Sequence, residues 1–243
     1  MQNFALKFRP RSLDEICGQR ELVGVFKKFI ENKKIPHSIF YGPAGCGKTS
    51  FARVVARSME YDFYEFDGGN LKIEEFRKIL KNHENAFSKP LFFIDEIHRL
   101  SKTQQEALLI PMENYRAAII GASTENPYFT LSSGIRSRSM LFEFKPLASE
   151  DFEKLLERVR GEVKFDISDE AKAYLVKSSG GDARGLLNLL EFAVSLGEEV
   201  TLENLKTLRA NAVSEGVSED DVHYGLASAF IKSLRGSDEN AVI

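Results

Sequence analysis

Apolar and polar positions alternate over the first 145 residues in a pattern that predicts strands separated by helices. Residues 22–30 place their apolar side chains on one helical face, and Pro36 follows. Apolar runs buried on both faces and joined by helices are typical of a parallel sheet covered by helices. We therefore predict an α/β domain over residues 1–145. The predicted strands are 38–41, 62–66, 91–94, 117–122 and 140–144, and helical patterns occupy 48–58, 72–81 and 103–115.

Beyond Pro146 the strand-like runs stop and the apolar spacing becomes helical. Ser149, Ser168 and Asp182 are residue types that cap helix N-termini, and each precedes such a pattern. A fourth helix is predicted after Thr201. Residues 146–210 thus predict a small all-helical domain. The polar stretch 211–221 predicts a linker, and the amphipathic residues after it, up to 243, predict the start of a C-terminal helical region.

The segment GPAGCGKT lies directly between a predicted strand and a predicted helix. Its glycines let the backbone curl so that successive N–H groups face one anion, and the helix N-terminus adds attraction. Lys48 then reaches the β- and γ-phosphates, and the Thr49 hydroxyl binds Mg²⁺. A chance match in a glycine-containing turn is the alternative, which the flanking elements disfavour. We predict an ATP site formed by Gly42, Pro43, Ala44, Gly45, Cys46, Gly47, Lys48, Thr49 and Ser50.

Two further strands end in polar side chains. The run 91–94 is followed by Asp95 and Glu96, and two acids at the end of a buried strand need a cation or a chemical task. We predict that Asp95 lies beside Mg²⁺ and that Glu96 acts as general base on the attacking water. Solvated loop acids are the alternative. After the run 117–122, Thr124 or Ser123 is predicted to contact the γ-phosphate, a plain strand cap being the alternative.

Composition narrows the class of protein. The formal net charge is −3, so DNA binding would require a local basic patch. No apolar run approaches the roughly 18 residues of a membrane helix, and the first residues have no signal-type core. The two cysteines and four histidines show no metal-ligand spacing, and a surface or packing role is favoured for His98. We predict a cytoplasmic protein without membrane contact.

Longer stretches resemble a known family. These stretches are FRPRSLDEICGQ, DEIHRLSKTQQEALLIPMEN, GASTENPYF and KSLRGSD. They resemble the AAA+ ATPases of the clamp-loader clade, and among these the replication-associated recombination protein A family, also called MgsA and related to the Werner-helicase-interacting protein. The resemblance covers essentially the whole chain, although FDGGN at 66–70 departs from it. Family members continue well beyond the last motif, which implies that most of the C-terminal oligomerisation region is missing from this chain.

The resemblance implies roles for matching residues. Thr124 would be the first sensor, and Arg184 the second sensor, carried over the phosphates by the helical domain acting as a lid. Arg138, with Arg136 as the alternative, would be an arginine finger inserted into a neighbouring subunit's site, which requires a homo-oligomer. Four residues would lie by the adenine, namely Arg9, Pro10, Gly18 and Gln19.

The function implied is a DNA-dependent ATPase acting at stalled replication forks, gaps or duplex ends. DNA binding would be independent of sequence, at the nucleoid, with single-strand-binding protein and other replication proteins as partners. An ATP-gated binding module with negligible turnover stays open, and a protein remodeller is disfavoured because no aromatic-glycine loop is evident. Candidate phosphate contacts are Arg99, Lys102, Gln104, Gln105, Lys27, Lys28, Lys33 and Lys34, each cluster also being compatible with a solvated face.

Overall fold

The computed structural model describes residues 3–197 and 199–214. Its first part is a sheet of five parallel strands in the order β2-β3-β4-β1-β5, with helices on both faces. The fold class predicted from the apolar pattern is confirmed. The elements are α1 (Phe4–Lys7), α2 (Arg20–Glu31), β1 (Ser38–Tyr41), α3 (Lys48–Ser58), β2 (Asp62–Asp67), α4 (Ile73–Asn82), β3 (Pro90–Asp95), α5 (Lys102–Glu113), β4 (Ala118–Ser123), α6 (Pro127–Thr130), α7 (Ser133–Ser137) and β5 (Met140–Glu143), with 3-10 turns at Leu13–Glu15 and Ile97–Arg99.

The strand order decides where the polar strand ends meet. β1 is paired with β4 on one side and with β5 on the other, so Phe40 lies between Ala122 and Phe142. β3 pairs with β4 in the same direction. Because the carboxyl ends of parallel strands share one edge, the loops after β1, β3 and β4 converge there.

Aromatic side chains fill the core between the sheet and the helices α2 and α3. Phe26 of α2 is fully buried, and its ring makes edge-on contacts with Phe29, Phe40, Phe51 and Phe142 at centroid distances of 5.0 to 5.6 Å. Edge-to-face contacts of this kind add to the stabilisation from burial. A second cluster under α4 and α5 covers the opposite face of the sheet. The edge that carries the loops is therefore supported from both sides.

The second part is mainly helical. Ser168 and Asp182 cap their helices as predicted, accepting from Ala171 N and Gly185 N. Ser149, by contrast, is the first helical residue, and the N-terminus is closed by the Asp151 carboxylate accepting from Ala148 N. The elements are α8 (Ser149–Arg160), β6 (Asp166–Ile167), α9 (Asp169–Ser179), α10 (Ala183–Leu196), β7 (Glu199–Val200) and α11 (Leu202–Ser214).

Two features of this second part differ from the sequence-based predictions. β6 and β7 form a short parallel pair, so the region is not all-helical. Two-residue strands carry no periodicity that a sequence pattern could detect. Residues 211–214 form the last turn of α11 rather than the start of a linker. The remainder of the predicted linker and the amphipathic segment up to residue 243 lie outside the described residues.

The N-terminal segment crosses from the sheet to the helical part. Phe4 and Phe8, four residues apart, stack edge-on at 5.3 Å and belong to the same apolar cluster as Leu186 and Leu190 of α10. The Phe4 amide also donates to Glu191 Oε2 at 2.8 Å. Within residues 3–197 and 199–214, no helix has both the length and the apolarity needed to cross a bilayer.

Candidate nucleotide-binding site

A cavity lies where the sheet edge, the N-terminal segment and the helical part meet. Residues 44–50 form one wall of this cavity. Gly45 has φ of +68°, and a Cβ there would lie 1.8 Å from Asp182 Oδ1, so no larger residue fits without displacing the carboxylate that caps α10. The loop therefore has the curled backbone that its glycines predicted. Gly42 and Pro43 are not part of the wall and act through their carbonyl groups.

Lys48 is buried at the first position of α3. Its Nζ donates to the carbonyls of Gly42 and Pro43, each at 2.8 Å, and lies 3.8 Å from Cys46 Sγ. A buried ammonium needs such partners, and the carbonyls hold it over the loop. Cys46 belongs to the core cluster under the loop, its Sγ donates to Pro43 O at 2.9 Å, and burial raises the pKa of its thiol.

The two acids after β3 also line the cavity. Asp95 Oδ1 accepts from the Glu96 amide at 3.1 Å. Glu96 has φ of +50°, a left-handed conformation that costs about 1–3 kcal/mol in a residue with a side chain, and its carbonyl accepts from Arg99 N at 2.8 Å. Burial raises the pKa of the Glu96 carboxyl. Strained backbone beside a cavity is a common feature of functional sites.

Thr49 and Asp95 lie on the wall of the same cavity, together with Lys48. The described residues contain no group of three His, Cys, Asp or Glu side chains that could hold a metal unaided. A hydroxyl and a carboxylate are nevertheless the oxygen ligands that Mg²⁺ takes from a protein when phosphate oxygens and water complete its shell. The residues present fit that ion.

The two hydroxyls after β4 face different surroundings. Thr124 lines the cavity, whereas Ser123 is fully buried. Ser123 Oγ accepts from Glu125 N at 2.9 Å, donates to Glu125 O at 3.0 Å and lies 3.0 Å from His98 Nδ1. β4 ends at Ser123 and the chain bends at Thr124, which gives the two neighbouring side chains different surroundings.

The far end of the cavity is more apolar. Arg9 and Pro10 line it, and burial, with the nearby charge of Arg53, lowers the pKa of Arg9. Gly18 and Gln19 do not reach the wall. Gln19 instead binds Lys145 with both ends of its amide, donating to Lys145 O at 2.7 Å and accepting from Lys145 N at 3.2 Å. The apolar lining is Ala5, Ile16, Cys17, Phe144, Leu147, Leu155 and Leu187.

The helical part closes the cavity from above. Ala183 N donates to Gly45 O at 3.1 Å, which anchors the start of α10 on the glycine-containing loop 44–50. Arg184, the next residue, is exposed and lines the cavity. The same anchor therefore brings the predicted second sensor to the site.

Arg158 of α8 is a cavity residue that sequence reasoning missed. Its Nη1 donates to Glu15 O at 2.9 Å and its Nη2 to Phe8 O at 2.6 Å, which ties the N-terminal segment to the helical part. Its Nε is buried without a hydrogen-bond partner. Nothing in the local pattern distinguishes Arg158 from the other arginines on this amphipathic helix.

Arg136 and Arg138, the two arginines of the stretch IRSR at residues 135–138, lie away from the cavity of their own chain. Arg138 Nη1 donates to Gly134 O at 3.2 Å, and its Nη2 lies 3.5 Å from Glu113 Oε1. The Arg136 guanidinium stacks over Tyr128, 5.4 Å from the ring centroid. Neither arginine is part of the cavity wall.

The two glutamines among the candidate phosphate contacts have partners within their own chain. Gln104 Nε2 donates to Leu71 O at 2.7 Å while its Oε1 accepts from Ser101 N. Gln105 is buried, donates to Leu100 O at 3.1 Å and accepts from Ser132 N at 2.9 Å. Both amides are used to hold α5 and its neighbours, whereas the side chains of Arg99 and Lys102 are exposed.

Similar proteins were found by family, by sequence and by structure. Residues 8–133 match the Holliday junction DNA helicase RuvB P-loop domain, and residues 161–235 match an AAA C-terminal domain. The chain is 33% identical, over its whole length, to the replication-associated recombination protein A of Bacillus subtilis and of Escherichia coli K12, and it spans 62% and 59% of those proteins. It is 30% identical over 97% of its length to the ATPase WRNIP1 of Dictyostelium discoideum, of which it spans 31%.

The fold is shared with a solved structure of the Thermotoga maritima RuvB Holliday junction branch migration motor. The TM-score is 0.73 at 24% identity, covering 94% of this chain and 80% of that one. This likeness concerns the fold alone. The family matches and the relatives at 30–33% identity confirm the resemblance that the motifs indicated. The chain belongs to the AAA+ family of P-loop ATPases, with a RuvB-type P-loop domain followed by an AAA C-terminal region.

Proposed function

We propose that this chain is a DNA-stimulated ATPase that acts at stalled forks, gaps or DNA ends in replication-linked recombination and repair. The observation that supports the ATPase is one cavity lined at once by Lys48, Thr49, Asp95, Glu96 and Arg184. These are the cationic, hydroxyl, acidic and sensor groups that phosphoryl transfer needs. Because the chain spans about 60% of its bacterial relatives, the activity of the whole protein is part of the proposal.

In this proposal the triphosphate of ATP lies along the loop 44–50. Lys48 exchanges its two carbonyl partners for phosphate oxygens, and Thr49 and Asp95 hold Mg²⁺, which neutralises charge on the phosphates. Glu96 polarises the attacking water, and Thr124 contacts the γ-phosphate. The adenine fits the apolar end, between Arg9-Pro10 and the lid.

The remaining catalytic groups come from mobile or neighbouring parts of the assembly. Arg184 reaches the phosphates when the lid is closed, and Arg138 is supplied to the site of an adjacent subunit in a homo-oligomer. An arginine given in trans accelerates phosphoryl transfer by about 10³- to 10⁵-fold. The intrachain partners of Arg138 are Gly134 O and Glu113. The Arg138 side chain is 33% exposed, and partly exposed contacts of this kind are weak enough to be exchanged on assembly.

DNA is the proposed macromolecular partner, on the support of the relatives' names. Exposed cations such as Arg99, Lys102, Lys33 and Lys34 are candidate phosphate contacts, and such contacts are independent of sequence. Single-strand-binding protein and a nucleoid-associated cytoplasmic location belong to the same proposal.

A second candidate is an ATP-gated DNA-binding module with negligible turnover. One observation favours it: the cavity of one chain contains the proposed nucleotide-binding groups but neither Arg136 nor Arg138. A chain without a neighbouring subunit would have all the groups needed to bind ATP but would lack the arginine needed for rapid hydrolysis.

The test is steady-state ATP hydrolysis by the purified chain with single-stranded DNA, duplex DNA or no DNA. We expect DNA to raise the rate, and Lys48→Ala to abolish nucleotide binding. Glu96→Gln should keep binding and lose turnover, because the amide cannot accept the proton of the attacking water. Glu106→Gln, on the exposed face of α5, is the matched control and should behave as wild type. Unchanged hydrolysis in Glu96→Gln would contradict the base assignment, and absent hydrolysis in the wild type favours the binding module.

A further inference from the structure

His98 connects the acid after β3 to the end of β4. It lies in the 3-10 turn Ile97–Arg99, and its side chain is 12% exposed. Its Nε2 is 3.2 Å from Glu96 Oε2, and its Nδ1 is 3.0 Å from Ser123 Oγ. One ring thus spans the two strand ends that carry Glu96 and Thr124.

The hydrogen positions follow from the partners of Ser123 and Glu96. The Ser123 hydroxyl accepts from Glu125 N, and its one hydrogen is within reach of both Glu125 O and His98 Nδ1, each 3.0 Å away. A neutral imidazole has a single N–H, so with that hydrogen on Nε2 the Nδ1 atom accepts from the Ser123 hydroxyl. On the other side, two bare acceptors 3.2 Å apart would repel, so a hydrogen lies between Nε2 and Glu96 Oε2. Glu125 Oε1, at 3.7 Å from Nε2, is too distant for a hydrogen bond.

This arrangement restrains the carboxylate of Glu96. The backbone of Glu96 is already held in a left-handed conformation by Arg99 N, but the side-chain torsions need a restraint of their own. His98 supplies it at Oε2. Within the described part of the chain no other side chain engages the carboxylate, so Oε1 is the oxygen left to hold a water in the cavity.

We propose that His98 is a positioning residue that aims Glu96 at the attacking water and couples it to the strand end bearing Thr124. The inference rests on the proposed ATPase function. A shift of Thr124 on contact with the γ-phosphate moves Ser123, its neighbour in the chain. Ser123 and His98 then transmit that shift to Glu96, so phosphate contact and base alignment occur together. A histidine that served packing alone would need only the Ser123 bond.

The two roles are separated by two isosteric substitutions. The amide nitrogen of glutamine takes the place of His98 Nε2, and the amide oxygen of asparagine takes the place of Nδ1. We expect His98→Ala to lower kcat by about 10- to 100-fold, the scale of a misplaced catalytic group, with the KM for ATP and the affinity for a fluorescent ATP analogue little changed. His98→Gln should recover part of the loss, because it restores the bond to Glu96 but not the bond to Ser123, and His98→Asn should resemble His98→Ala. Recovery by asparagine and not by glutamine would overturn the proposal in favour of a packing role.

A second measurement uses the base itself. In a Glu96→Gln background, His98→Ala should cause no further loss of turnover, because residues that act as one unit are not additive. A full additional loss would show that His98 acts elsewhere. If His98→Ala does not fold, as judged by thermal unfolding, the glutamine and asparagine variants still decide the question. Absent hydrolysis in the wild type would refute the proposed function, whereas wild-type turnover in His98→Ala, with turnover lost in Glu96→Gln, would refute only the role of His98.

Discussion

His37 shows at the residue scale how one buried residue, through its ring and its backbone carbonyl, can hold three strands and a helix in place. It is 2% exposed, and its ring stacks on Tyr115 at 5.0 Å. Nδ1 accepts from Ile119 N at 3.2 Å, which places the ring hydrogen on Nε2, where it is donated to Met112 O at 2.9 Å. The His37 carbonyl accepts from Met140 N. A proton added to Nδ1 would break the bond to β4.

The stability of the fold should therefore fall in mild acid partly through His37. Burial lowers the pKa of His37, so below the unfolded value of about 6.5 the unfolded chain binds more protons than the folded one. This contribution to stability is complete above pH 6.5 and is lost as the pH falls through that value towards the lower folded pKa. We expect the free energy of unfolding, measured by urea denaturation, to decline more steeply between pH 7 and 5 in the wild type than in His37→Asn.

The asparagine variant keeps an acceptor for Ile119 N and does not titrate. It will be less stable at pH 7, because the bond to Met112 O is lost, so the comparison concerns the slope with pH and not the absolute value. Equal slopes in both proteins would show that His37 contributes nothing to the acid response.

At the scale of elements, the connection between α9 and α10 positions the lid. Gly181 has φ of +93°, and a Cβ there would lie 2.5 Å from Pro146 Cβ. Leu147 N also donates to Gly181 O at 3.2 Å. The turn is therefore wedged against the chain that leaves the sheet, and two residues later Ala183 meets Gly45.

Gly181→Ala should disturb both stability and the site. The added methyl group is strained by the backbone and collides with Pro146, which we expect to cost about 1–3 kcal/mol. Relief of that collision moves the start of α10 and with it Arg184, so the affinity for a fluorescent ATP analogue should fall as well. Thermal unfolding and equilibrium titration measure the two effects.

Gly197→Ala provides the matched control. Gly197 has an extended backbone with φ of 166°, and a Cβ there meets nothing within 4 Å. Its substitution should change stability by no more than about 0.5 kcal/mol and leave nucleotide affinity intact. Wild-type affinity in Gly181→Ala would show that the turn does not control the position of Arg184.

At the scale of the whole molecule, the cavity belongs to three parts of the chain that are distant in sequence. The N-terminal segment, the carboxyl edge of the sheet and the helical part each supply a wall. The hydrogen bonds from Arg158 to Phe8 O and from Ala183 to Gly45 O join them. Arg138 lies outside the cavity of its own chain and contributes no group to the cavity wall.

A mixture of two inactive variants tests whether Arg138 acts between subunits. Lys48→Ala removes the lysine proposed to bind the phosphates but keeps the arginine finger. Arg138→Ala keeps the nucleotide site but lacks the arginine finger. Each alone should hydrolyse ATP slowly, with ATP affinity retained only in Arg138→Ala. Mixed at equal concentration with DNA present, they should recover part of the wild-type rate, because some Arg138→Ala sites then meet an intact Arg138.

The rate per subunit of the wild type should rise with protein concentration for the same reason. A flat rate, together with no recovery in the mixture, would assign Arg138 to a structural role, such as its contact with Glu113. The same mixture made with Arg136→Ala in place of Arg138→Ala distinguishes the two arginines of the stretch.

Much of the first part of the fold could be predicted from the sequence. The five strands begin and end within one residue of their predicted limits. Short apolar runs that are buried on both faces of a sheet are easily distinguished from the helical patterns between them. The helix starts at Ser168 and Asp182 were equally readable, since capping depends on neighbouring residues. The pair β6–β7 and the true end of α11 were missed, because such short pairings and boundaries depend on distant contacts.

The candidate site, too, could be predicted from the sequence only in part. The loop 42–49 and the Asp95-Glu96 pair were evident from consecutive residues, since the chemistry of each is set by backbone geometry within a few positions. The orientation of single side chains was not. Only the structure separates Thr124 from Ser123, turns Gln104 and Gln105 inward, and places Gln19 on Lys145 rather than at the cavity wall.

By itself, the sequence determined a parallel α/β domain with a phosphate-binding loop, two acids at a strand end and a helical region after it. These features depend on local spacing, which a chain displays before it folds. The tertiary structure alone decided that Arg158 ties the N-terminal segment to the helical part at the cavity, and that His98 joins Glu96 to Ser123. Such contacts bring together residues far apart in the chain, and their geometry is defined only when the strands are aligned and the lid is docked.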